Sequence, residues 1–127
     1  MRQGRVKRVP LGKPCAAASP AFVVWRNLKP RVVVDLRRVN AAGYPDAYPL
    51  PRQDTILQAL GGSVIFSSLD FTKSFFQQPI DPEDQWKTAF ITPHRGQEML
   101  CVATMGLMNS PGFFQHRMED LLADYLW

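Results

Sequence analysis

Two short β-branched runs, residues 21–25 (AFVVW) and 31–36 (RVVVDL), flank the turn-like stretch Arg-Asn-Leu-Lys-Pro and predict a β-hairpin. Residues 44–51 carry three prolines and read as a rigid loop. Residues 53–60 place Ile56, Leu57 and Leu60 on one helical face, and Gly61-Gly62 supplies a stop. The run 64–70 (VIFSSLD) predicts a buried strand ending on Asp70, and 72–77 a short helical turn. Residues 85–92 and 99–104 predict two strands about PHRGQ, a second hairpin. Ser110-Pro111 reads as an N-cap followed by proline at the first helical position. After it Phe114, Met118, Leu121, Leu122 and Tyr125 recur at helical spacing and run on to Trp127 without a stop.

The order is hairpin, helix, strand, turn, hairpin, helix, which predicts an α+β fold and not a doubly wound sheet. The length, 127 residues, allows one domain with a single moderate core. An apolar Tyr-Leu-Trp ending needs a partner surface, so the chain is expected to be a piece of something longer. Residues 1–18 show little periodicity and predict a basic arm, extended or poorly ordered, ahead of a domain over 19–127.

Charge sharpens this division. Net charge is only +4, yet the first 34 residues hold eight basic and no acidic residues, against seven basic and eleven acidic in the remainder. A polyanion contact near the N-terminal end is one reading and a solvated basic tail the other. An acid-free, Arg-rich start also resembles a mitochondrial transit peptide, but its prolines and glycines oppose an amphipathic helix. Cys15 and Cys101 form no paired motif, and His94 and His116 stand at no ligand spacing to them. Neither a zinc site nor a disulfide framework is expected, which fits a reducing compartment. No stretch approaches the ~20 apolar residues of a membrane span, and no signal peptide is apparent. The expected setting is cytoplasmic, with a virus-like particle or the nucleus as alternatives.

The candidate chemistry centres on Asp70. A charge at the end of a buried strand is costly unless something pairs with it, and strand-end carboxylates are common cation ligands. The following Lys73, Ser74, Phe75 and Phe76 offer a cation, a hydroxyl and two rings, a set suited to a phosphate tail and a sugar. The plainer alternative makes Asp70 a cap for the next turn and the phenylalanines core residues.

Five blocks in register resemble the reverse transcriptases of gypsy-type long-terminal-repeat retrotransposons: SPAFVVW, RVVVDLRRVN, YPLPRQDTILQALGG, FSSLDFTKSFFQQPIDPEDQWKTAF and GLMNSPGFFQHRM. The resemblance runs from about Ser19 to the C-terminus. It implies a right-hand polymerase fold, of which this chain would hold the fingers and the N-terminal part of the palm, incomplete. Residues 19–60 would be fingers and the next strand the start of the palm. Residues 85–104 would return to the fingers, and the helix from Ser110 would re-enter the palm.

The same resemblance implies roles. Asp70 matches the first metal-binding aspartate, with the backbone carbonyl of Phe71 as a further ligand. The implied cofactor is Mg²⁺ or Mn²⁺, two ions in the complete enzyme. Arg31 and Arg26 match residues placed against the triphosphate of an incoming nucleotide, and the amides of Lys73 and Ser74 would face the same phosphates. Phe75 matches the ring that excludes a ribose hydroxyl, leaving Phe76 to packing. Met105 and Gly106 fall in the block beneath the base, with Asn109, Ser110 and Pro111. Asp35, Arg37 and Asn40 match a block that supports the fingers and contacts template. Asp35 and Arg37, two apart on a strand, are expected to form a structural ion pair. The implied partners are RNA or DNA template-primer, deoxynucleotides and the other polyprotein domains, thumb and ribonuclease H among them, with no membrane.

The chain departs from the family pattern at Thr104, where proline is usual, at Pro79 inside an expected strand, and at Gly112 in place of alanine. More important, it contains no Asp-Asp, and Asp120 and Asp124, four apart on a helix, are expected to face solvent. With one metal carboxylate the isolated chain is expected not to polymerise. Two non-enzymatic readings stand beside the polymerase one: a nucleic-acid-binding module and a translated remnant without function.

Overall fold

The computed structural model describes residues 4–13 and 15–125. The first three arm residues and the helix ending expected at Trp127 lie outside the described residues. Strand β1 (Val6–Arg8) is followed by the hairpin β2 (Ser19–Arg26) and β3 (Lys29–Val34), then helices α1 (Arg37–Ala42) and α2 (Gln53–Ala59). Single 3₁₀ turns cover Ser74–Gln77 and Gln85–Thr88. A second hairpin, β4 (Phe90–Thr92) and β5 (Gly96–Leu100), leads to α3 (Ser110–Leu122) and a last 3₁₀ turn, Ala123–Tyr125.

The strands form one mixed sheet in the order β1-β5-β4-β2-β3. All neighbours are antiparallel except β2 and β4, which meet in parallel through Ser19↔Phe90 and Pro20↔Ile91. Beyond that short contact the β2–β3 hairpin projects as a two-stranded ribbon, paired from Ala21↔Val34 to Arg26↔Lys29. Its two-residue turn holds Asn27 at φ 51° and Leu28 at φ 59°. Positive φ at both positions is the turn whose twist matches the strands; asparagine adopts it readily, whereas leucine does so at a cost of roughly 1–2 kcal/mol.

Part of the basic arm belongs to the sheet. Val6–Arg8 pairs with β5 from Val6↔Leu100 to Arg8↔Glu98, so this segment is extended as the sheet edge and not a free tail. The apolar Val6 draws it there, packing on the core of Leu36, Phe90 and Leu100 with Ala21, Val34, Val39, Ile80 and Leu107. Pro79 is accommodated because its neighbours make the bonds: the Ile80 amide donates to Cys101 O (2.9 Å) and the Ala103 amide to Gln78 O (2.8 Å). The proline nitrogen falls where no donor is needed.

Several expectations are corrected. Residues 85–88, expected as strand, form a 3₁₀ turn that buries Gln85 and Thr88, and the hairpin starts only at Phe90. The Thr88 hydroxyl donates to Gln85 O (2.7 Å) and accepts from the Leu100 amide (3.0 Å), bonds that a strand would not offer. Strand β5 begins at Gly96 and ends at Leu100, earlier than expected. Asn109, not Ser110, occupies the N-cap position of α3. Asp35 and Arg37 pair as expected, though not along a strand: Arg37 opens α1 and folds back on Asp35.

The largest correction concerns 64–70. These residues form no strand and lie exposed, Val64 at 92%, Ile65 at 84% and Leu69 at 79%. The face of α2 made by Ile56, Leu57 and Leu60 is exposed as well. The chain presents 10530 Å² to solvent, against ~6,800 Å² for a compact monomer of 14.4 kDa. A β-prone run does not hold a ladder by itself, because its amides and carbonyls need a neighbour.

Candidate active site

Asp70 ends the exposed run, and its carboxylate makes no hydrogen bond or ion pair among the described residues. Most other carboxylates are engaged. Asp35 meets Arg37 at 2.6 Å, Asp84 meets Lys87 at 2.6 Å, Asp54 meets Arg52 at 3.1 Å, and the fully buried Glu98 meets Arg95 at 3.1 Å. The capping role that would explain Asp70 structurally is therefore not made: it takes no amide of the turn that follows. That turn places Lys73 in the left-handed region, φ 56°, before the 3₁₀ turn of Ser74–Gln77.

The two phenylalanines divide. Phe75 and Phe71 each meet the edge of Phe114 on α3 with ring centres 5.9 Å apart. Phe76 lies beneath the Arg5 guanidinium, 4.5 Å from its ring centre, a cation–π contact between the edge strand and this turn. Both rings are half-buried, and neither joins the Leu36–Phe90–Leu100 core.

On the ribbon, register decides which cations act together. Arg26 is paired with Lys29, and Arg31 lies two residues beyond Lys29, so all three share one face. Lys29 was not singled out from sequence; only the two-residue turn reveals it as a member. Phe22, Val24 and Val33 lie on the same face toward the base of the ribbon.

Asp35 is held well below the usual carboxylate range, from 3.8 to about 2, chiefly by hydrogen bonds from the Arg37 side chain and amide, which favour its charged form. That makes it a structural anion at the start of α1. Asn40 donates to Gly106 O (2.7 Å) and accepts from the Met108 amide (3.0 Å), bringing two predicted blocks together. Met105 in the same turn is exposed. A cavity of about 440 Å³ lies between α1, residues 78–80 and this turn, walled by Val39, Ile80, Leu107 and Phe113.

A second cluster was not read from sequence. The Tyr48 hydroxyl donates to Glu119 on α3, which also accepts from Gln115 Nε2 at 2.8 Å. The bond to Glu119 pushes the Tyr48 hydroxyl up to about 12, while the donors from Gln115 and Tyr48 lower Glu119. His116 packs edge-on to Tyr48 and lies 3.8 Å from Asp120, which is exposed as expected, as is Asp124. Gly112 faces Tyr48 Cβ and the Asp46 carboxylate, where an added methyl would stand 3.4 and 3.6 Å away, ordinary contact. Among the described residues no three His, Cys, Asp or Glu gather as a metal cage, Cys15 and Cys101 are free thiols, and no helix is long and apolar enough to cross a membrane.

Residues 25–126 match the family model described as reverse transcriptase (RNA-dependent DNA polymerase). The chain is 41% identical over 114 residues to the retrovirus-related Pol polyprotein from transposon 297 of Drosophila melanogaster, covering 85% of this chain and 11% of that one. It is 31% identical over 115 residues to the corresponding polyprotein from transposon gypsy, with the same shares. To the enzymatic polyprotein of cauliflower mosaic virus (strain Strasbourg) it is 37% identical over 107 residues, 80% of this chain and 16% of that one. The chain thus spans 11–16% of the length of these relatives. Among solved structures, the foamy viral protease-reverse transcriptase in complex with dsDNA matches with a TM-score of 0.77 at 25% identity, over 97% of this chain and 25% of that one. The same protein in complex with an RNA/DNA hybrid matches with a TM-score of 0.76 at 23% identity, over 98% and 16%, a likeness of fold.

Proposed function

The chain belongs to the reverse transcriptase family and corresponds to a segment of retroelement polyproteins, and we propose that it supplies the fingers and the first part of the palm of an RNA-directed DNA polymerase. In this reading a primer 3′ oxygen attacks the α-phosphate of a deoxynucleotide and pyrophosphate departs. The observation that carries it is the Asp70 carboxylate, exposed and unengaged where most other carboxylates are tied to a partner.

The family works with divalent metal ions. A single free carboxylate fits part of a Mg²⁺ or Mn²⁺ site, since such ions take one or two carboxylates and complete their shell with water and phosphate oxygens. Asp70 and the Phe71 carbonyl would hold the metal, which when bound lowers the cost of charge on the attacking and departing oxygens. The chain's own residues do the rest. Arg26, Lys29 and Arg31 present three cations from one ribbon face to the triphosphate, and planar guanidiniums bridge its oxygens. The Lys73 and Ser74 amides sit in a turn of the kind that receives anions. Phe75, braced by Phe114, stands as the ring against a ribose hydroxyl, and Met105 beneath the base.

Primer extension tests this. The 127-residue chain incorporates nothing, having one metal carboxylate. Joined to a downstream palm segment that carries the family's aromatic-x-Asp-Asp hairpin it extends primers, and Asp70→Asn in that fusion abolishes extension. Robust synthesis by the chain alone, or by the Asp70→Asn fusion, overturns the assignment.

The ribbon's cation face favours a second reading, a nucleic-acid-binding module that needs no metal. Its signature is affinity for single-stranded nucleic acid that falls steeply between about 50 and 200 mM salt. Salt-insensitive or absent binding refutes it.

A further inference from the structure

We propose that Asn40 and Asn109 are a reciprocal pair of positioning residues that join the Met105–Gly106 turn and the proline-rich loop 44–51 into one mechanical unit. Each carboxamide spends both its ends on the backbone of the opposite segment. Asn40 Nδ2 donates to Gly106 O (2.7 Å), and Asn40 Oδ1 accepts from the Met108 amide (3.0 Å). Asn109 Nδ2 donates to Tyr44 O (2.8 Å), and Asn109 Oδ1 accepts from the Asp46 amide (3.0 Å). Turning either amide over would set donor against donor and acceptor against acceptor, so each has one orientation that satisfies both ends.

Two observations show that this is more than incidental bonding. Asn109 occupies the N-cap position of α3, where an asparagine ordinarily accepts from its own helix, yet it makes no side-chain cap bond. Its carboxamide is directed to the loop instead. The turn that Asn40 holds also has little support of its own. Gly106 sits at φ +112°, a conformation closed to other residues, and the turn's own Leu107-to-Thr104 bond is long at 3.4 Å.

The reciprocity follows from chain connectivity. Asn40 lies four residues before the loop that Asn109 grips, and Asn109 adjoins the Met108 amide that Asn40 grips. Displacing either clamp therefore moves the frame of the other. The unit continues into α3, because Asp46 accepts from the Tyr48 amide (3.1 Å) and the Tyr48 hydroxyl donates to Glu119. The mechanical claim stands on these contacts; its bearing on where Met105 stands beneath a base rests on the polymerase reading.

Amide hydrogen exchange on the 127-residue chain tests it, with the Asp46 and Met108 amides as reporters and the Leu100 amide, bonded to Thr88, as the control. Asn40→Leu is expected to speed exchange at Met108 and also across the clamp at Asp46, each on the order of tenfold, with Leu100 unchanged. Asn40→Asp keeps the acceptor for the Met108 amide and is expected to restore protection there. If Asn40→Leu frees Met108 while Asp46 exchanges at the wild-type rate, the two clamps are independent and the proposal is overturned. Should Asn40→Leu unfold the sheet as well, Asn109→Asp decides. It keeps the acceptor for the Asp46 amide but sets an acceptor against Tyr44 O and so breaks that half of the clamp, so faster exchange at Met108 supports coupling and an unchanged rate refutes it. Loss of the polymerase reading in the primer-extension assay leaves these rates untouched, so the two failures are distinguishable.

Discussion

Residues 32–34 and 64–66 are both short apolar runs rich in β-branched residues, Val-Val-Val and Val-Ile-Phe, and the protein treats them differently. The first forms β3, laddered to β2 along its length, although Val32 and Val33 remain substantially exposed. The second has the stronger look of a buried strand but pairs with nothing among the described residues and lies open to solvent. Apolar content does not separate them; a neighbour does. The hairpin supplies its own partner across a two-residue turn, a local contact of low entropic cost, whereas 64–70 requires a strand from elsewhere. A similar contrast holds at larger scale. Residues 36–48 and 104–119 are joined by side-chain bonds around the Leu36 core, while α2 and the run after it expose Ile56, Leu57, Ile65 and Leu69.

The sharpest way to break this contrast is to truncate one residue on each side. Leu36 is 3% exposed in the core, so Leu36→Ala costs about 2–5 kcal/mol in chemical denaturation. Ile65 is exposed, so Ile65→Ala shifts the same midpoint by at most ~0.5 kcal/mol. Equal losses would mean that 64–70 is packed in solution.

A smaller, opposite effect belongs to the ribbon. Leu28 holds φ 59° in a turn position suited to glycine, so Leu28→Gly stabilises the hairpin by about 1 kcal/mol. Slower amide exchange across β2 and β3 is the readout, and no change would show that the turn relaxes without penalty.

The least disruptive probe is pH. The Asp35 carboxyl is depressed to about 2, so the stability it lends is present above its ordinary 3.8 and is lost as pH falls through about 2. Glu119, also lowered, acts with the same sign. Tyr48 is raised, so its contribution is whole below the ordinary tyrosine value of 10.0 and disappears as pH climbs through about 12. Melting followed across that range should therefore weaken at both ends. Asp35→Asn should make the acid limb shallower, leaving the share that belongs to Glu119, without touching the alkaline one. An unchanged acid limb would remove Asp35 from the account.

Much of this was legible in the sequence. The hairpin, the proline-rich loop, the Asp35–Arg37 pair and the last helix follow from β-branching, proline spacing, opposite charge two residues apart and helical period. Asp70 was singled out on the premise of a buried strand, and that premise failed, since the run lies exposed and the carboxylate has no partner among the described residues. Other features could not be read. The buried turn at Gln85–Thr88 depends on hydrogen bonds to Ile80 and Leu100, and the edge strand Val6–Arg8 on a vacancy beside β5. Lys29 joins Arg26 and Arg31 only through register.

By itself the amino-acid order determined the β2–β3 hairpin, the last helix, the family's blocks and the kinds of side chain near Asp70, since these rest on steric preference and chemical type within a few residues. Tertiary structure alone decided which strands found neighbours, which asparagine held which backbone, and which apolar run stayed open. Those outcomes depend on what stands within hydrogen-bonding reach across the fold, and sequence spacing does not encode that distance.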